Sequence, residues 1–228
     1  MKHLLRSAAG LGILIAGAVT LAGCALPMPT IVGPADSSSQ SPSDDATTED
    51  EATTDETGVG DLPFDVEFDA ATMTLQWTDP FMTDANYTVS AADDGNGSWA
   101  YTDTRTGCVA TFYQGTITDL DTSLDDSALT DSMLAIVLTS DGDTVTGDDV
   151  AQYAYDDSIP LSPSGTVDTR SITSGSDDGT SWLDTARMFG SVGGGIYLGI
   201  QCPSGQDATT ELDTLIGDGL AAMIVPLQ

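Results

Sequence analysis

The chain has 228 residues, with 36 Asp and Glu against five Lys and Arg, and its formal net charge at pH 7 is −31. Nucleic-acid phosphates and anionic lipid headgroups repel so negative a chain, which excludes nucleic-acid binding. The single histidine and the single lysine are His3 and Lys2. The remaining chain therefore has no imidazole for a catalytic triad or a zinc site, and no amine for a Schiff base or a phosphate-binding loop.

Residues 1–23 have the pattern of a secretory signal peptide. Lys2 and Arg6 form a short basic region, and a run of 14 positions follows from Ala8 to Leu21 in which every residue except Thr20 is small or apolar. A membrane-spanning helix needs about 20 apolar residues, so this run is too short to span a bilayer. Its length and its basic flank instead indicate an export signal.

The signal ends in Leu21-Ala22-Gly23-Cys24. This tetrapeptide resembles the lipobox of bacterial lipoproteins at all four positions. The resemblance implies that the Cys24 thiol is linked to diacylglycerol, that a signal peptidase cuts between Gly23 and Cys24, and that the new N-terminus can be acylated as well, with palmitate as one such acyl group. Two acyl anchors hold a protein stably on a membrane, here its extracytoplasmic face. The alternative is a plain signal peptide with a chance cysteine.

Residues 24–60 read as an acidic tether. The segment is rich in Ser, Thr, Asp, Glu and Pro and has almost no large apolar residue, so it cannot bury enough surface to offset the entropy of ordering. We expect a disordered spacer, with an interaction tail or an O-glycosylated stalk as alternatives. The mature chain would carry a net charge of −33, because it keeps all 36 carboxylates and only three arginines. This composition resembles exported proteins of high-GC actinobacteria, and a halophilic origin would look similar.

Residues 61–228 form the predicted globular domain, which is long enough for one core. Alternating apolar residues predict strands over 73–77, 86–91, 98–104 and 107–117. Asp, Gly and Asn at 93–97 predict a hairpin turn. These elements together indicate an antiparallel meander over 73–117.

Two helices and further strands are predicted beyond the meander. Helical spacing of apolar residues predicts a helix over 123–138 with Ser123 as its N-cap. Strands are expected over 150–155, 166–173, 181–189 and 195–202. A C-terminal helix is expected to begin at Asp207 and end at Pro226, with a buried stripe of Leu212, Leu215, Ile216, Leu220 and Met223.

The element order predicts an α+β domain, mainly an antiparallel sheet with two packed helices. A β-sandwich is the alternative. The order over 61–228 also resembles the PsbP-like fold of some actinobacterial lipoproteins, which implies the same α+β class.

Cys108 and Cys202 remain once Cys24 is assigned to lipid. An even pair of cysteines in an exported domain predicts a disulfide, here across 94 positions. Two free buried thiols and a redox pair are the alternatives.

Three arginines, Arg105, Arg170 and Arg187, are the only basic residues of the domain. We expect them to pair with nearby carboxylates; the functional alternative is an anion-binding site where at least two guanidinium groups converge. The Asp clusters at 93–97 and 141–145 do not match a calcium-binding loop, and neither a metal nor a cofactor is expected.

The sequence favours a non-catalytic module that binds an unidentified protein, glycan or small ligand in the cell envelope. The first alternative is a carrier of a small hydrophobic or anionic ligand. The second is a hydrolase that uses paired carboxylates, although Glu67 and Glu211 are the only glutamates of the domain and spacing singles out no acid pair. The three tryptophans could form a sugar platform but are more typical of core.

Overall fold

A computed structural model describes residues 60–66, 68–69, 71–93, 95–139 and 144–227. In this part of the chain, nine strands and three α-helices form one domain. The strands are β1 (Met73–Trp77), β2 (Tyr87–Ala91), β3 (Ser98–Asp103), β4 (Val109–Thr116), β5 (Tyr155–Ser162), β6 (Thr166–Gly175), β7 (Ser181–Phe189), β8 (Gly194–Cys202) and β9 (Ala222–Pro226). The helices are α1 (Asp126–Leu138), α2 (Gly147–Ala151) and α3 (Ala208–Gly217), and Phe81–Thr83 is a 3-10 turn.

All nine strands belong to one curled sheet in the order β1-β9-β5-β6-β7-β8-β4-β3-β2. Neighbouring strands are antiparallel except β5 and β9, which are parallel. The Trp77 indole N–H of β1 donates to the carbonyls of Tyr113 in β4 and Tyr197 in β8, each at 3.1 Å. An edge strand thus touches the middle of the same sheet, which shows how strongly the sheet curls.

The two faces of the sheet carry separate cores. On the inner face, α3 and β1 cover a cluster that includes Phe81, Phe112 and Leu198. On the outer face, α1 contributes Leu129 and Leu134 and α2 contributes Val150 to a cluster that packs over strands β6 and β7. Side chains alternate between the two faces along a strand. Because both faces of β7 are covered by a core, every residue from 183 to 189 is buried.

The α+β class is confirmed at the coarse level, although the domain is mostly sheet and has three helices where two were predicted. Nine of the predicted strands and helices occur near their expected positions, and so does the hairpin turn that joins β2 and β3. The predicted meander is correct only for β2, β3 and β4. Strand β1 lies at the opposite edge and pairs with β9.

Helix α1 begins later than predicted. Its N-cap is Asp125, whose Oδ1 accepts a hydrogen bond from the Ala128 N–H at 2.8 Å. Ser123 instead lies in the preceding turn, where its hydroxyl donates to Asp121. A carboxylate at the cap also favours the positive end of the helix dipole.

The strand predicted over 150–155 is wrong. Residues Gly147–Ala151 form helix α2, because Thr146 and Asp149 make a reciprocal capping box that satisfies the first backbone N–H groups. The strand here starts only at Tyr155, and its apolar alternation is interrupted by Asp156, Asp157 and Pro160, which hid it from the sequence analysis.

The C-terminal helix is shorter than predicted. Asp207 caps it as expected, but it ends at Gly217, and Gly219 adopts a φ of 106° that an L side chain rarely takes. The chain then reverses into β9. Met223 and Pro226 therefore belong to a strand, and Leu220 lies in the turn between α3 and β9.

Candidate functional site

The residues of the predicted anchor and tether, Gly23, Cys24 and the segment 24–59, lie outside the described residues. The predicted disulfide between Cys108 and Cys202 is present, with a Cα–Cα distance of 4.2 Å. It joins the turn before β4 to the end of β8. A cross-link over so long a loop typically stabilises a domain by about 2–4 kcal/mol.

Arg105, in the turn between β3 and β4, is surrounded by oxygen acceptors. Its Nε donates to Asp103 at 2.9 Å, and its Nη2 donates to Asp218 at 2.6 Å and to the Tyr87 hydroxyl at 2.7 Å. The Tyr87 hydroxyl in turn donates to Asp218 at 2.5 Å. We call Arg105, Asp103, Asp218 and Tyr87 the Arg105 network.

Two carboxylates determine the ionisation of this network. Hydrogen bonds to Asp103 and then to Asp218 raise the pKa of Arg105. Burial by itself would raise the pKa of Asp103, but the hydrogen bonds from Arg105 outweigh it and lower that pKa. Arg105, Asp103 and Asp218 are therefore ionised at neutral pH, each beside a group of opposite charge. Burial raises the pKa of Tyr87, so its hydroxyl stays neutral.

Arg170, in β6, joins the outer face of the sheet to α1. Its Nε donates to Asp131 of α1 at 2.9 Å, and its Nη1 donates at 2.8 Å to Asp156, the residue opposite it in β5. Burial would lower the pKa of Arg170, but these two carboxylates raise it. This is the cross-strand pairing expected from the sequence.

Arg187, in β7, is the most deeply buried arginine, with no exposed side-chain surface. Its Nη2 donates to Asp126 at 3.0 Å and to the Pro63 carbonyl at 3.2 Å. Its guanidinium carbon lies 4.1 Å from the ring centre of Phe64 and 4.9 Å from that of Phe189. We call Arg187, Asp126, Phe64 and Phe189 the Arg187 centre.

The Arg187 centre is less well satisfied than the Arg105 network. The Nε of Arg187 is buried and has no hydrogen-bond partner among the described residues. Burial lowers the pKa of Arg187, and Asp126 only partly opposes this effect. Two aromatic faces contribute cation–π attraction but no hydrogen-bond acceptor.

The three arginines do not converge in one place. Arg105 lies beside the C-terminal end of α3. Arg170 stands opposite Ala186 on the outer face, so Arg187, the next residue of β7, points to the inner face. Each guanidinium group is bonded to at least one carboxylate, so an anion would have to displace that carboxylate to bind.

Two open clefts flank Phe64 of the Arg187 centre, and we call them together the groove. The larger cleft, of about 520 Å³, is lined by Phe64, Asp65, Asp156, Asp157, Ser158 and Asp168. The smaller, of about 270 Å³, is lined by Phe64, Asp65, Val66, Phe68, Asp125, Asp126, Phe189 and Ser191. Carboxylates and aromatic rings thus form its walls, which suits a cationic or apolar group better than an anion.

A buried carboxyl group without an arginine lies on the outer face. Asp184 is 9% exposed, and its Oδ1 accepts a hydrogen bond from the Tyr197 hydroxyl at 2.6 Å. Burial raises the pKa of Asp184 to about 6, although the bond from Tyr197 acts in the opposite direction. The Gly199 backbone lies so close to this pair that a side chain there would collide with Tyr197 and Asp184.

A second buried carboxyl group lies beside the disulfide. Glu211 of α3 is 3% exposed and accepts a hydrogen bond from the Thr106 hydroxyl at 3.0 Å. Burial raises its pKa and the charge of Asp103 adds to this effect, whereas the bond from Thr106 lowers it. Asp103 and Glu211 thus connect the Arg105 network to the disulfide.

The other sequence candidates have structural positions. Trp77 and Trp99 belong to the inner core, and Trp182 packs partly buried against the outer cluster. The carboxylate of Asp93 accepts hydrogen bonds from the N–H groups of Gly95 and Gly97, which explains its place in the hairpin turn. The acidic cluster at 141–143 lies outside the described residues.

Sequence reasoning missed Phe64, Asp126, Asp184 and Glu211 as parts of polar centres. The chain gives no local signal for the first three, because their partners are distant in sequence. Glu211 did carry a signal: it is one of two glutamates of the domain, and it sits on the apolar stripe of a predicted helix.

None of the helices in the described ranges has both the length and the apolar character required to cross a membrane. Comparison with known proteins gave no match to a family model, a curated protein or a solved structure.

Proposed function

We propose that the protein is a lipid-anchored, non-catalytic binding module on the extracytoplasmic face of the cell membrane, and that its acidic surface binds a basic partner in the envelope. Cys24 carries the lipid, and the acidic segment after it holds the domain away from the membrane. The lipobox resemblance supports the anchor, and the folded domain supports the mode of binding.

The arrangement of charge is the observation that carries the binding proposal. All three arginines of the domain are engaged by carboxylates of the same chain, two of them in buried positions. No basic side chain other than the partly exposed Arg105 is left to offset the surface carboxylates of the described residues. A surface of one sign attracts partners of the other sign and speeds their association.

The groove is where this surface also offers apolar contact. Phe64, Val66 and Phe68 lie among the groove carboxylates, with Val66 43% exposed. Aromatic contact surrounded by charge gives a basic partner both attraction and a place to bury apolar surface. We therefore assign the groove as the contact region.

The carrier alternative rests on one observation, the inward-facing Arg187 between Phe64 and Phe189. The groove beside it is acidic, so a ligand carried there would be cationic or uncharged. Detergent-free native mass spectrometry of protein released from its own envelope separates the two functions, since a carrier retains a small molecule and a protein-binding module does not.

The anchor is tested by Cys24→Ser. The wild-type protein should incorporate radiolabelled palmitate and stay with membranes after high-salt washing, and the variant should lose the label. A variant that keeps both the lipid label and its membrane retention would contradict the anchor.

The contact region is tested by cross-linking in intact cells. A variant with Asp65→Asn and Asp168→Asn should lose most of the cross-linked partner. The matched control, Asp119→Asn with Asp213→Asn, removes the same charge at exposed positions away from the groove. Equal losses in both variants would show that the groove is not the contact region.

A further inference from the structure

The disulfide does not lie among apolar groups alone. A carboxylate oxygen of Glu211 and the sulfurs of Cys108 and Cys202 all lie within 4.8 Å of one another. The three residues are 3%, 1% and 4% exposed, respectively. A cross-link by itself needs no carboxyl group, and burying one is costly unless it is hydrogen-bonded or protonated.

Glu211 lies on the buried face of α3, which is otherwise apolar. The buried face of the helix consists of Ala208, Glu211, Leu212 and Leu215, so one acid replaces an apolar residue where the helix meets the disulfide. The Thr106 hydroxyl donates to Glu211 and accepts from the Cys108 N–H at 3.2 Å. Thr106 therefore links the carboxyl group to the cysteine backbone.

The charged neighbours of Glu211 favour its protonated form. Asp103 faces it from β3 and is kept ionised by Arg105 in the adjoining turn. Burial, followed by the charge of Asp103, raises the pKa of Glu211, while Thr106 and Arg105 act in the opposite direction. The raised pKa favours a protonated Glu211, and a carboxyl oxygen of this residue lies within 4.8 Å of both sulfurs.

We propose that Cys108–Cys202 is a redox-exchangeable disulfide and that Glu211 is its proton-transfer residue. Reduction begins when a thiolate of an external dithiol attacks one protein sulfur. The S–S bond breaks, its electron pair passes to the other protein sulfur, and that sulfur takes the proton of Glu211. The second thiol of the reductant then displaces the first protein sulfur, which is protonated from solvent.

The reaction is balanced because the reductant becomes a disulfide while the protein gains two thiols, and solvent returns the proton that Glu211 gave. Oxidation runs the same steps in reverse, with the Glu211 carboxylate as the base. Access requires only a local movement. The exposed residues Gly107 and Pro203, which lie side by side, directly flank the cysteines, and Gly107 has a φ of 76° in the turn.

The test follows reduction of the folded, full-length protein by dithiothreitol between about pH 5 and pH 8, a range in which the thiolate fraction of a reductant changes steeply. Alkylation and peptide mass spectrometry report Cys108 and Cys202 separately from Cys24. Rate constants are divided by the thiolate concentration. The corrected rate of the wild type should fall as pH rises, because Glu211 loses its proton.

Glu211→Gln should be slower at the acidic end by about tenfold or more and should show no such fall. Asp184→Asn is the control, since it removes a buried carboxyl group away from the disulfide and should keep the wild-type profile. Coinciding profiles for the wild type and Glu211→Gln would overturn the proposal. So would a wild-type rate that stops increasing with reductant and equals the unfolding rate.

Thr106→Val provides a second variant that retains the carboxyl group. Loss of the hydroxyl removes a bond that lowers the pKa of Glu211. The fall in the corrected rate should therefore move to higher pH without disappearing. An unmoved profile in Thr106→Val would also count against Glu211 as the proton-transfer residue.

Discussion

The Arg105 network and the Arg187 centre shift the pKa of their arginines in opposite directions. Each places an arginine against aspartate and aromatic side chains. Arg105 is 36% exposed in its side chain and bonds two carboxylates, which raise its pKa. Arg187 is fully buried and bonds one carboxylate, and burial lowers its pKa.

The difference indicates that burial and the number of carboxylate partners, rather than contact with aromatic rings, decide how well an arginine charge is accommodated. Every charged group of the Arg105 network has an ionic partner. In the Arg187 centre, Nε has no acceptor among the described residues, and the cation–π contacts with Phe64 and Phe189 do not replace one. The less satisfied centre is also the one that borders the groove.

Removing the single carboxylate of the Arg187 centre should have the largest effect on stability. Asp126→Ala leaves a fully buried guanidinium without an ionic partner, and the Gly190 N–H also loses its acceptor. We expect the free energy of unfolding to fall by about 3–5 kcal/mol in denaturant titration. A loss below about 1 kcal/mol, as for a surface pair, would mean that the two centres do not differ in this way.

The disulfide stabilises the part of the domain that contains the Arg105 network. The double variant Cys108→Ala with Cys202→Ala should lower the free energy of unfolding by about 2–4 kcal/mol, because it frees the closed loop in the unfolded chain. The measurement is urea unfolding of both proteins at the same pH. A negligible loss would indicate that the Arg105 network alone holds this side together.

Asp184 differs from the aspartates of both arginine centres because its buried carboxyl group is hydrogen-bonded to Tyr197 and to no arginine among the described residues. Its pKa of about 6 in the folded protein exceeds the value of 3.8 for an unperturbed aspartate. The folded state therefore binds this proton more tightly, and the associated stability is fully present below about pH 4 and is lost as the pH rises through about 6. The loss amounts to roughly 3 kcal/mol.

Asp184→Asn isolates this effect from the other carboxyl groups. The difference in unfolding free energy between the variant and the wild type should shift in favour of the variant between about pH 4 and pH 7. The amide oxygen of the substituted side chain can still accept the bond from Tyr197. A difference that does not change with pH would refute the raised pKa of Asp184.

Asp218→Ala should have the smallest effect of the four changes. Arg105 and Asp218 are both partly exposed, and the Arg105 side chain keeps its three hydrogen bonds to the carboxylate of Asp103. We expect a loss of only about 0–1 kcal/mol in the same titration. A loss as large as that of Asp126→Ala would contradict the view that a redundant network tolerates the removal of one member.

Much of this fold is encoded in local patterns. The alternation of apolar residues predicts strands β3, β4, β6, β7 and β8. The Asp207 cap of α3 can also be recognised from the sequence. Strand β9 was hidden because a buried apolar stripe continues across Gly217 and Gly219, and only the backbone conformation at Gly219 ends the helix. Strand β1 lies at the far edge of the sheet from β2 because it pairs with β9, and this pairing joins the two ends of the domain.

The polar centres were harder to predict than the strands. Arginine pairing was expected, and Asp156 lies opposite Arg170 as cross-strand pairing requires. Asp126, by contrast, is 61 positions from Arg187. Its role depends on where α1 crosses the sheet, which composition and spacing do not specify.

The binding proposal is tested most directly by the salt dependence of binding to envelopes. Detergent-solubilised, full-length protein is added to envelopes from cells that lack it, at about 0.1 M and about 1 M salt, where the screening length falls from about 10 Å to about 3 Å. We predict that bound protein decreases about tenfold or more at high salt, and that Asp65→Asn with Asp168→Asn weakens low-salt binding while the Asp119→Asn with Asp213→Asn control does not. Binding that is independent of salt and equal in both variants would contradict an acidic surface that recognises a basic partner.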